Sequence, residues 1–313
     1  MDPQFPKPLP EHGTIGIVAP ASGSDQQDLD KGIHILRQHG YDINVADNVT
    51  NRNHFLAGSW TIRLQEMLDF FKDDSIDAII CARGGDGAIH LLPDFIDELE
   101  GVAPKTFVGY SDITILQLAL YQRYGWVTFS GPMVATELAN KSESSSTVTH
   151  LLSMLTSEPM KWNLLPEDSS GIEIWHDGVA KGTLLGGCMA LVCTLLGTPN
   201  SPDYRDAILI LEDVDETPQR IDRMLHQFRI HGVFERISGL ILGKFHNCFP
   251  EDPGESFTLK DLVLNATADY DFPVIANYPY GHGSGTRLTV PLGAPVRLET
   301  GPSISLECTY THS

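Results

Sequence analysis

The chain has 313 residues, of which 42% are hydrophobic, so it is long enough for two ordinary globular domains and is not expected to be disordered. Its 41 Asp and Glu residues against 21 Lys and Arg residues give a net charge of −20, which repels polyanions and argues against a nucleic-acid partner. No apolar stretch approaches the roughly 20 residues of a membrane span, so we expect no membrane association.

Cysteine usage predicts a reducing compartment, the cytoplasm. The cysteines are odd in number and scattered, and no two form a C-x-x-C pair, so neither a disulfide framework nor a thiolate zinc site is indicated. They are Cys81, Cys188, Cys193, Cys248 and Cys308. The apolar run at 14–21 follows Glu11 and His12 instead of a basic segment, and therefore predicts a first strand and not an export signal.

The first part of the chain alternates short apolar runs with helical spacing. Leu29, Ile33 and Leu36 share one face of a predicted helix that begins after Asp25 and ends at Gly40. A second helix is predicted from the spacing of Leu64, Met67, Leu68 and Phe71. The predicted strands are 14–20, 42–46, 78–82 and 106–110. Alternation of strand and helix, with continuous apolar runs in the strands, predicts a parallel sheet.

The composition changes after residue 132. Residues 141–147 are polar and rich in serine, and residues 156–178 carry prolines and acids. We therefore predict an N-terminal α/β domain over 1–140, a linker over 141–178 and a C-terminal, mostly β domain over 179–313. Predicted strands in the last part are 179–186, 207–212, 239–245, 273–278, 287–291 and 295–299. One helix interrupts them, with Thr217 as its cap and Pro218 at its first position.

Ser111 stands where an apolar strand gives way to a helix, in the run G-Y-S-D-I-T at 109–114. Backbone N–H groups point outward at such a turn, so the position suits an anion site or an activated nucleophile. A Ser-Asp pair at a helix start is also a common capping arrangement. Ile113 stands where the G-x-S-x-G pattern of α/β-hydrolases has its second glycine, so the local sequence favours capping.

The loop R-G-G-D-G at 83–87 follows another buried strand. Adjacent glycines allow a backbone to approach a ligand and present N–H groups to negative charge, as a phosphate cradle or an oxyanion hole does; a tight turn explains them equally well. Arg83 suits a carboxylate, or a surface salt bridge. The G-G-D-G letters also resemble the loop of NAD kinases and diacylglycerol kinases, which would leave Ser111 without a role.

Two further features complete a possible catalytic set. The strand at 207–212 ends in four acids within residues 212–216, which suit Mg²⁺ or Ca²⁺, or supply one carboxylate, Glu212, to orient a histidine. His282 lies in a glycine-rich loop directly after a strand, a common setting for functional residues. A serine, a histidine, a carboxylate and an oxyanion loop are the parts needed for acyl transfer from an amide.

The sequence resembles the serine LD-carboxypeptidases, the family typified by murein tetrapeptide carboxypeptidase, with the microcin C immunity hydrolases as relatives. The motifs that carry the resemblance occur in order along nearly the whole chain, at 13–22, 83–87, 109–114, 130–133, 186–199, 210–225 and 281–293. The resemblance implies an N-terminal α/β sandwich, a C-terminal mostly β domain, an active site between them and a homodimer. It also implies a Ser-Glu-His triad on Ser111, Glu212 and His282, with no cofactor or metal ion.

The mechanism requires two further sets of residues. Oxyanion donors are expected in the N–H groups of Gly85 and Asp112, and substrate contacts at Arg83, Gly84 and Asp86. This chain has Asp86 where the family's R-G-G loop often continues with Tyr, and Cys188 where an Asn is expected.

The family substrate is a murein tetrapeptide, cut between the L-centre of meso-diaminopimelate or lysine and a terminal D-Ala. An aminoacyl nucleotide of the microcin C type is one alternative substrate. A phosphate or nucleotide binder, or an NAD kinase-like enzyme that uses R-G-G-D-G with a metal, is the alternative of another class.

Overall fold

The computed structural model describes residues 2–92, 94–140, 145–158, 162–252, 254 and 256–309. The chain forms two compact units, one of Met1–Glu158 with Gly285–Leu292 and the other of Pro159–Ser284 with Gly293–Ser313. Residues 141–144 and 159–161 of the predicted linker lie outside the described residues. The rest of that linker includes a helix of the first unit, and the predicted domain limits stay a prediction.

Strands and helices alternate along much of the chain. The strands are β1 Thr14–Val18, β2 Asp42–Val45, β3 Ala78–Cys81, β4 Thr106–Gly109, β5 Thr128–Ser130, β6 Glu173–His176, β7 Val179–Cys188, β8 Ile208–Val214, β9 Gly239–His246, β10 Val274–Ala276, β11 Val290–Leu292, β12 Pro295–Glu299 and β13 Ser305–Cys308. The α-helices are α1 Gln26–Gln38, α2 Trp60–Lys72, α3 Asp94–Asp97, α4 Thr114–Tyr124, α5 Ser145–Thr156, α6 Met189–Leu195, α7 Pro218–Ile230 and α8 Leu259–Ala266. The predicted α/β fold class is confirmed.

The sheet of the first unit has the strand order β11-β5-β4-β3-β1-β2. Strands β1 to β5 are parallel, which confirms the parallel sheet predicted from the first four of them. Every residue of β3 and β4 is buried, which explains their uninterrupted apolar sequences. Because parallel strands end at the same edge of a sheet, the loops after β1, β3 and β4 are neighbours at that edge.

Strand β11 is assigned differently by the structure and by the sequence. Chain order suggested that residues 287–291 belong to the C-terminal domain, but Val290–Leu292 pair antiparallel with β5 in the sheet of the first unit. Pro291 lies in this strand. An edge strand tolerates proline because it pairs on one side only, so the missing N–H need not leave a hydrogen bond unmade. The pairing joins segments that are distant along the chain, which local periodicity does not reveal.

The second unit contains a mixed sheet with the order β13-β12-β7-β8-β9-β10-β6. Strands β7, β8, β9 and β10 are parallel, and β12, β13 and β6 are antiparallel to their neighbours. The predicted cap of α7 is confirmed, since the Thr217 side chain accepts a hydrogen bond from the Arg220 N–H and Pro218 begins the helix. In the described part of the chain, none of the helices has the length and apolar character that a membrane crossing requires.

Candidate active site

Ser111 lies in a sharp turn between β4 and α4. Its φ is 63°, a left-handed conformation that costs free energy in a residue with a Cβ, and it begins a short 3₁₀ helix that leads into α4. The turn leaves Ser111 half-buried while Asp112 and Ile113 are buried. Neither the 3₁₀ helix nor α4 has a side-chain cap, so Ser111 does not have the capping role that its local sequence favoured.

The R-G-G-D-G loop lies against Ser111. A Cβ placed on Gly84 would lie 2.9 Å from the Ser111 Cβ and 3.1 Å from its Oγ, so only a glycine permits this approach. Gly85 has a φ of 105°, and a Cβ there would lie 2.2 Å from the Ser22 Oγ. The glycines therefore bring the loop backbone beside the serine hydroxyl, as an oxyanion loop requires.

Hydrogen bonds from neighbouring segments hold this loop. The Asp86 N–H donates to the Ser22 Oγ at 3.2 Å, and the Ala88 N–H donates to the Asp112 Oδ2 at 2.7 Å. Within the part of the chain that the structure describes, the N–H groups of Gly85 and Asp112 donate no hydrogen bond. Both of the predicted oxyanion donors thus keep their hydrogen-bonding capacity for a ligand.

Two opposite charges flank the glycine pair of this loop. Arg83 and Asp86 are both exposed, and neither side chain forms an ion pair with another described residue. The surface salt bridge that was an alternative role for Arg83 is therefore not seen among these residues. The Arg83 guanidinium can pair with an anionic group of a ligand, and the Asp86 carboxylate can pair with a cationic one.

Burial raises the pKa of Asp112 to about 6. The hydrogen bond from the Ala88 N–H opposes this shift, the charge of Asp86 adds to it, and the charge of Arg63 opposes it. The Asp112 side chain is thus a buried acid that ties the serine turn to the R-G-G-D-G loop.

In the second unit, Glu212 and His282 form a hydrogen-bonded pair. The fully buried Glu212 lies on β8, and its Oε2 accepts from the His282 Nδ1 at 2.7 Å and from the His282 backbone N–H at 2.9 Å. The His282 side chain is 18% exposed. With Nδ1 protonated and donating to the carboxylate, the basic nitrogen of the neutral ring is Nε2, which is the tautomer of a general base.

Glycines make room for this pair. Gly281 has a φ of 100°, and a Cβ there would lie 2.5 Å from the Glu212 Oε2. A Cβ on Gly243 of β9 would lie 3.2 Å from the Glu212 Cβ. The carboxylate is therefore enclosed by backbone, which fixes its orientation toward the histidine.

The other acids near Glu212 have separate partners. Asp213 accepts from the N–H groups of Ala190 and Val214, and burial raises its pKa to about 6. Glu216 pairs with Arg220 and Asp215 accepts from Asn247. The described residues contain no group of three or more His, Cys, Asp or Glu side chains placed to hold a metal ion. The cluster therefore does not assemble into the hard-ligand site that its sequence suggested.

Two buried arginines of the first unit were not predicted from the sequence to have a role at the site. Arg63 of α2 donates to backbone carbonyls of two loops, and Arg287 pairs with Glu137 and donates to the Tyr110 hydroxyl. Arg63 had a detectable signal, because it lies one helical turn before Met67 on the apolar face of α2. Arg287 had none, since its partners are far away in sequence.

Two models of known protein families match the chain. Residues 15–131 match the model of the LD-carboxypeptidase N-terminal domain, and residues 181–298 match that of the C-terminal domain. Both are domains of one kind of peptidase, so the protein is a hydrolase of the peptidase class. The chain belongs to the LD-carboxypeptidase family, as its motifs indicated.

Individual relatives agree with this assignment. A probable murein peptide carboxypeptidase of Bacillus subtilis is 32% identical over 94% of this chain and 91% of its own length. The murein tetrapeptide carboxypeptidase of Pseudomonas aeruginosa is 30% identical over 89% of this chain and 91% of its own. Among solved structures, the microcin C7 self-immunity protein MccF superposes with a TM-score of 0.89 over 98% of both chains at 22% identity, which shows the fold alone.

Proposed function

We propose that the protein is a serine carboxypeptidase that removes the terminal D-Ala of murein tetrapeptides. It would cut the amide bond between D-Ala and the L-centre of meso-diaminopimelate or lysine. The observation that carries the proposal is the Glu212–His282 pair, whose hydrogen bond of 2.7 Å sets the tautomer that a general base needs. The names of the Bacillus and Pseudomonas relatives support the substrate class.

In the proposed acylation step, the His282 Nε2 takes the proton of the Ser111 hydroxyl as Oγ attacks the substrate carbonyl. Glu212 keeps the histidine in the required tautomer and stabilises the imidazolium. The negative oxygen of the tetrahedral intermediate accepts hydrogen bonds from the N–H groups of Gly85 and Asp112. Collapse of the intermediate breaks the C–N bond, and His282 returns its proton to the leaving amine of D-Ala.

Deacylation repeats these steps with water. His282 removes a proton from the water as it attacks the ester carbonyl of the acyl-enzyme, and then returns that proton to the Ser111 oxygen. The products are a tripeptide and D-Ala. The exposed Arg83 would bind the terminal carboxylate of the substrate, with Gly84 and Asp86 contacting the substrate along the same loop. The cytoplasm and the homodimer stay predictions from the sequence.

A second candidate is amide hydrolysis of an aminoacyl nucleotide, which the fold similarity to MccF favours. The same Ser111, Glu212 and His282 would serve, because only the leaving group differs. Substrate assays separate the two candidates.

The test is release of D-Ala from L-Ala-γ-D-Glu-meso-diaminopimelate-D-Ala, compared with its lysine analogue and with an aminoacyl sulfamoyl adenosine. The wild type should release D-Ala with or without EDTA, and Ser111→Ala should lower the rate on the order of 10⁶, as loss of a triad serine does. Exposed Ser75→Ala is the matched control and should keep the wild-type rate. Equal release by wild type and Ser111→Ala would contradict the mechanism, and cleavage of the nucleotide alone would select the second candidate.

A further inference from the structure

Arg63 is a fully buried cation in the first unit. It lies on α2 with 0% of its surface exposed, and its Nη1 donates to the carbonyl oxygens of Pro20 at 2.5 Å and Gly87 at 2.8 Å. Its Nη2 lies 3.3 Å from the His90 Nδ1. Burial of a charge is costly unless partners compensate it, so a position that needed only an apolar side chain would not hold an arginine.

The two carbonyls belong to neighbouring loops. Pro20 follows β1 and Gly87 ends the R-G-G-D-G loop after β3, and these two strands are adjacent in the sheet. One guanidinium nitrogen binds both oxygens at once, so Arg63 sets the spacing between the loops. The guanidinium is planar and is carried by helix α2, so its donors have a fixed geometry that a lysine ammonium would lack.

The same loop is held at other points. The Ser22 N–H donates to the Gly84 carbonyl at 3.3 Å, and the Ser22 Oγ accepts from the Asp86 N–H. On the other side, the buried carboxylate of Asp112 accepts from the Ala88 N–H, and its charge is partly balanced by that of Arg63. Gly85, whose N–H donates to no described residue, lies between these attachments.

We propose that Arg63 is a positioning residue of the carboxypeptidase, which fixes the Gly84–Ala88 loop so that the Gly85 N–H faces the oxyanion. Asp112 is its buried anionic counterpart. This inference rests on the proposed function. Arg63 does not touch the substrate, so its removal lowers the rate of the chemical step more than it lowers substrate affinity, because preorganised oxyanion donors act mainly in the transition state.

The test compares Arg63→Met and Arg63→Lys with Met67→Ala, a core substitution on the same helix. Arg63→Met should lower kcat on the order of 10² to 10³ while KM changes less than about threefold, as loss of one oxyanion donor does. Arg63→Lys should lose less. Affinity for a tetrahedral phosphonate analogue should fall in parallel with kcat, whereas affinity for the tripeptide product should not. Met67→Ala should lower Tm and keep kcat.

Hydrogen exchange gives a readout that does not need activity. The amides of residues 84–88 should exchange faster in both Arg63 variants and at the wild-type rate in Met67→Ala. Unchanged exchange and wild-type kcat in either folded Arg63 variant would overturn the proposal, and so would an equal loss of kcat in Met67→Ala. If Arg63→Met does not fold, Arg63→Lys decides. If the wild type releases no D-Ala, the proposed function fails, and the exchange comparison alone decides whether Arg63 fixes the loop.

Discussion

Asp112 has two roles at one position, since its N–H is a proposed oxyanion donor and its buried carboxylate holds the Ala88 N–H. Burial raises the pKa of this carboxyl to about 6, above the ordinary value of 3.8. A raised pKa in an acid means that folding favours the protonated form. The side chain therefore stabilises the fold below pH 4, and this contribution is lost as the pH rises through 6.

Asp112→Asn should remove this pH dependence. Asparagine retains an acceptor for the Ala88 N–H and does not ionise, so the variant should gain stability relative to wild type by up to about 3 kcal/mol between pH 4 and pH 7. Denaturant unfolding at a series of pH values measures this difference. Asp213, whose pKa is also raised to about 6, leaves a residual slope in both proteins. A constant difference between the two proteins at all pH values would refute the expectation.

Gly281 is the residue on which the geometry of the Glu212–His282 pair depends. In Gly281→Ala the new Cβ would meet the Glu212 side chain at 2.5 to 2.6 Å, so the carboxylate has to move away from the histidine. We expect kcat to fall on the order of 10² to 10⁴, the upper figure being that for loss of the orienting acid in a triad. Steady-state kinetics of D-Ala release measures this loss.

Gly101→Ala is the matched control for Gly281→Ala. Gly101 also has a positive φ, of 80°, but a Cβ there meets nothing within 4 Å. Gly101→Ala should therefore lose about 1 kcal/mol of stability to backbone strain and should keep its activity. Similar kinetics in the two variants would mean that crowding of Glu212 has no effect on catalysis.

At the scale of elements, the turn after β4 is supported by the segment that ends in β11. Arg287, three residues before Val290, is 7% exposed and forms an ion pair with Glu137. Its Nη1 also donates to the Tyr110 hydroxyl at 3.0 Å, and that hydroxyl donates to the Glu137 Oε1 at 2.7 Å. Tyr110 directly precedes Ser111, so this buried network fixes the residue before the proposed nucleophile.

Arg287→Met should destabilise the protein by about 3 to 5 kcal/mol, because it leaves the Glu137 carboxylate buried without its counter-charge. The double variant Arg287→Met, Glu137→Gln should recover part of that loss. Denaturant unfolding of both single variants and the double variant gives the coupling between the two residues. Additive losses would show that the ion pair contributes no coupling to stability.

In the molecule as a whole, features that depend on a few neighbouring residues were predicted from the sequence more fully than pairings between distant segments. The apolar runs gave the buried strands β3 and β4, and Thr217 and Pro218 gave the start of α7, because each signal lies within a few residues. The contacts of Arg287 could not be predicted from local sequence, since it lies 177 residues after Tyr110 in the chain. The left-handed turn at Ser111 was equally hidden, because no propensity favours that conformation in serine.

The return of residues 285–292 to the first unit has a consequence for synthesis on the ribosome. Most of the first unit precedes residue 159, yet its edge strand β11 and Arg287 are made only after residues 159–284 of the second unit. A nascent chain therefore carries β5 with an uncovered edge while residues 159–284 of the second unit are being made. A truncated product that stops before residue 285 therefore lacks the strand that completes its first sheet.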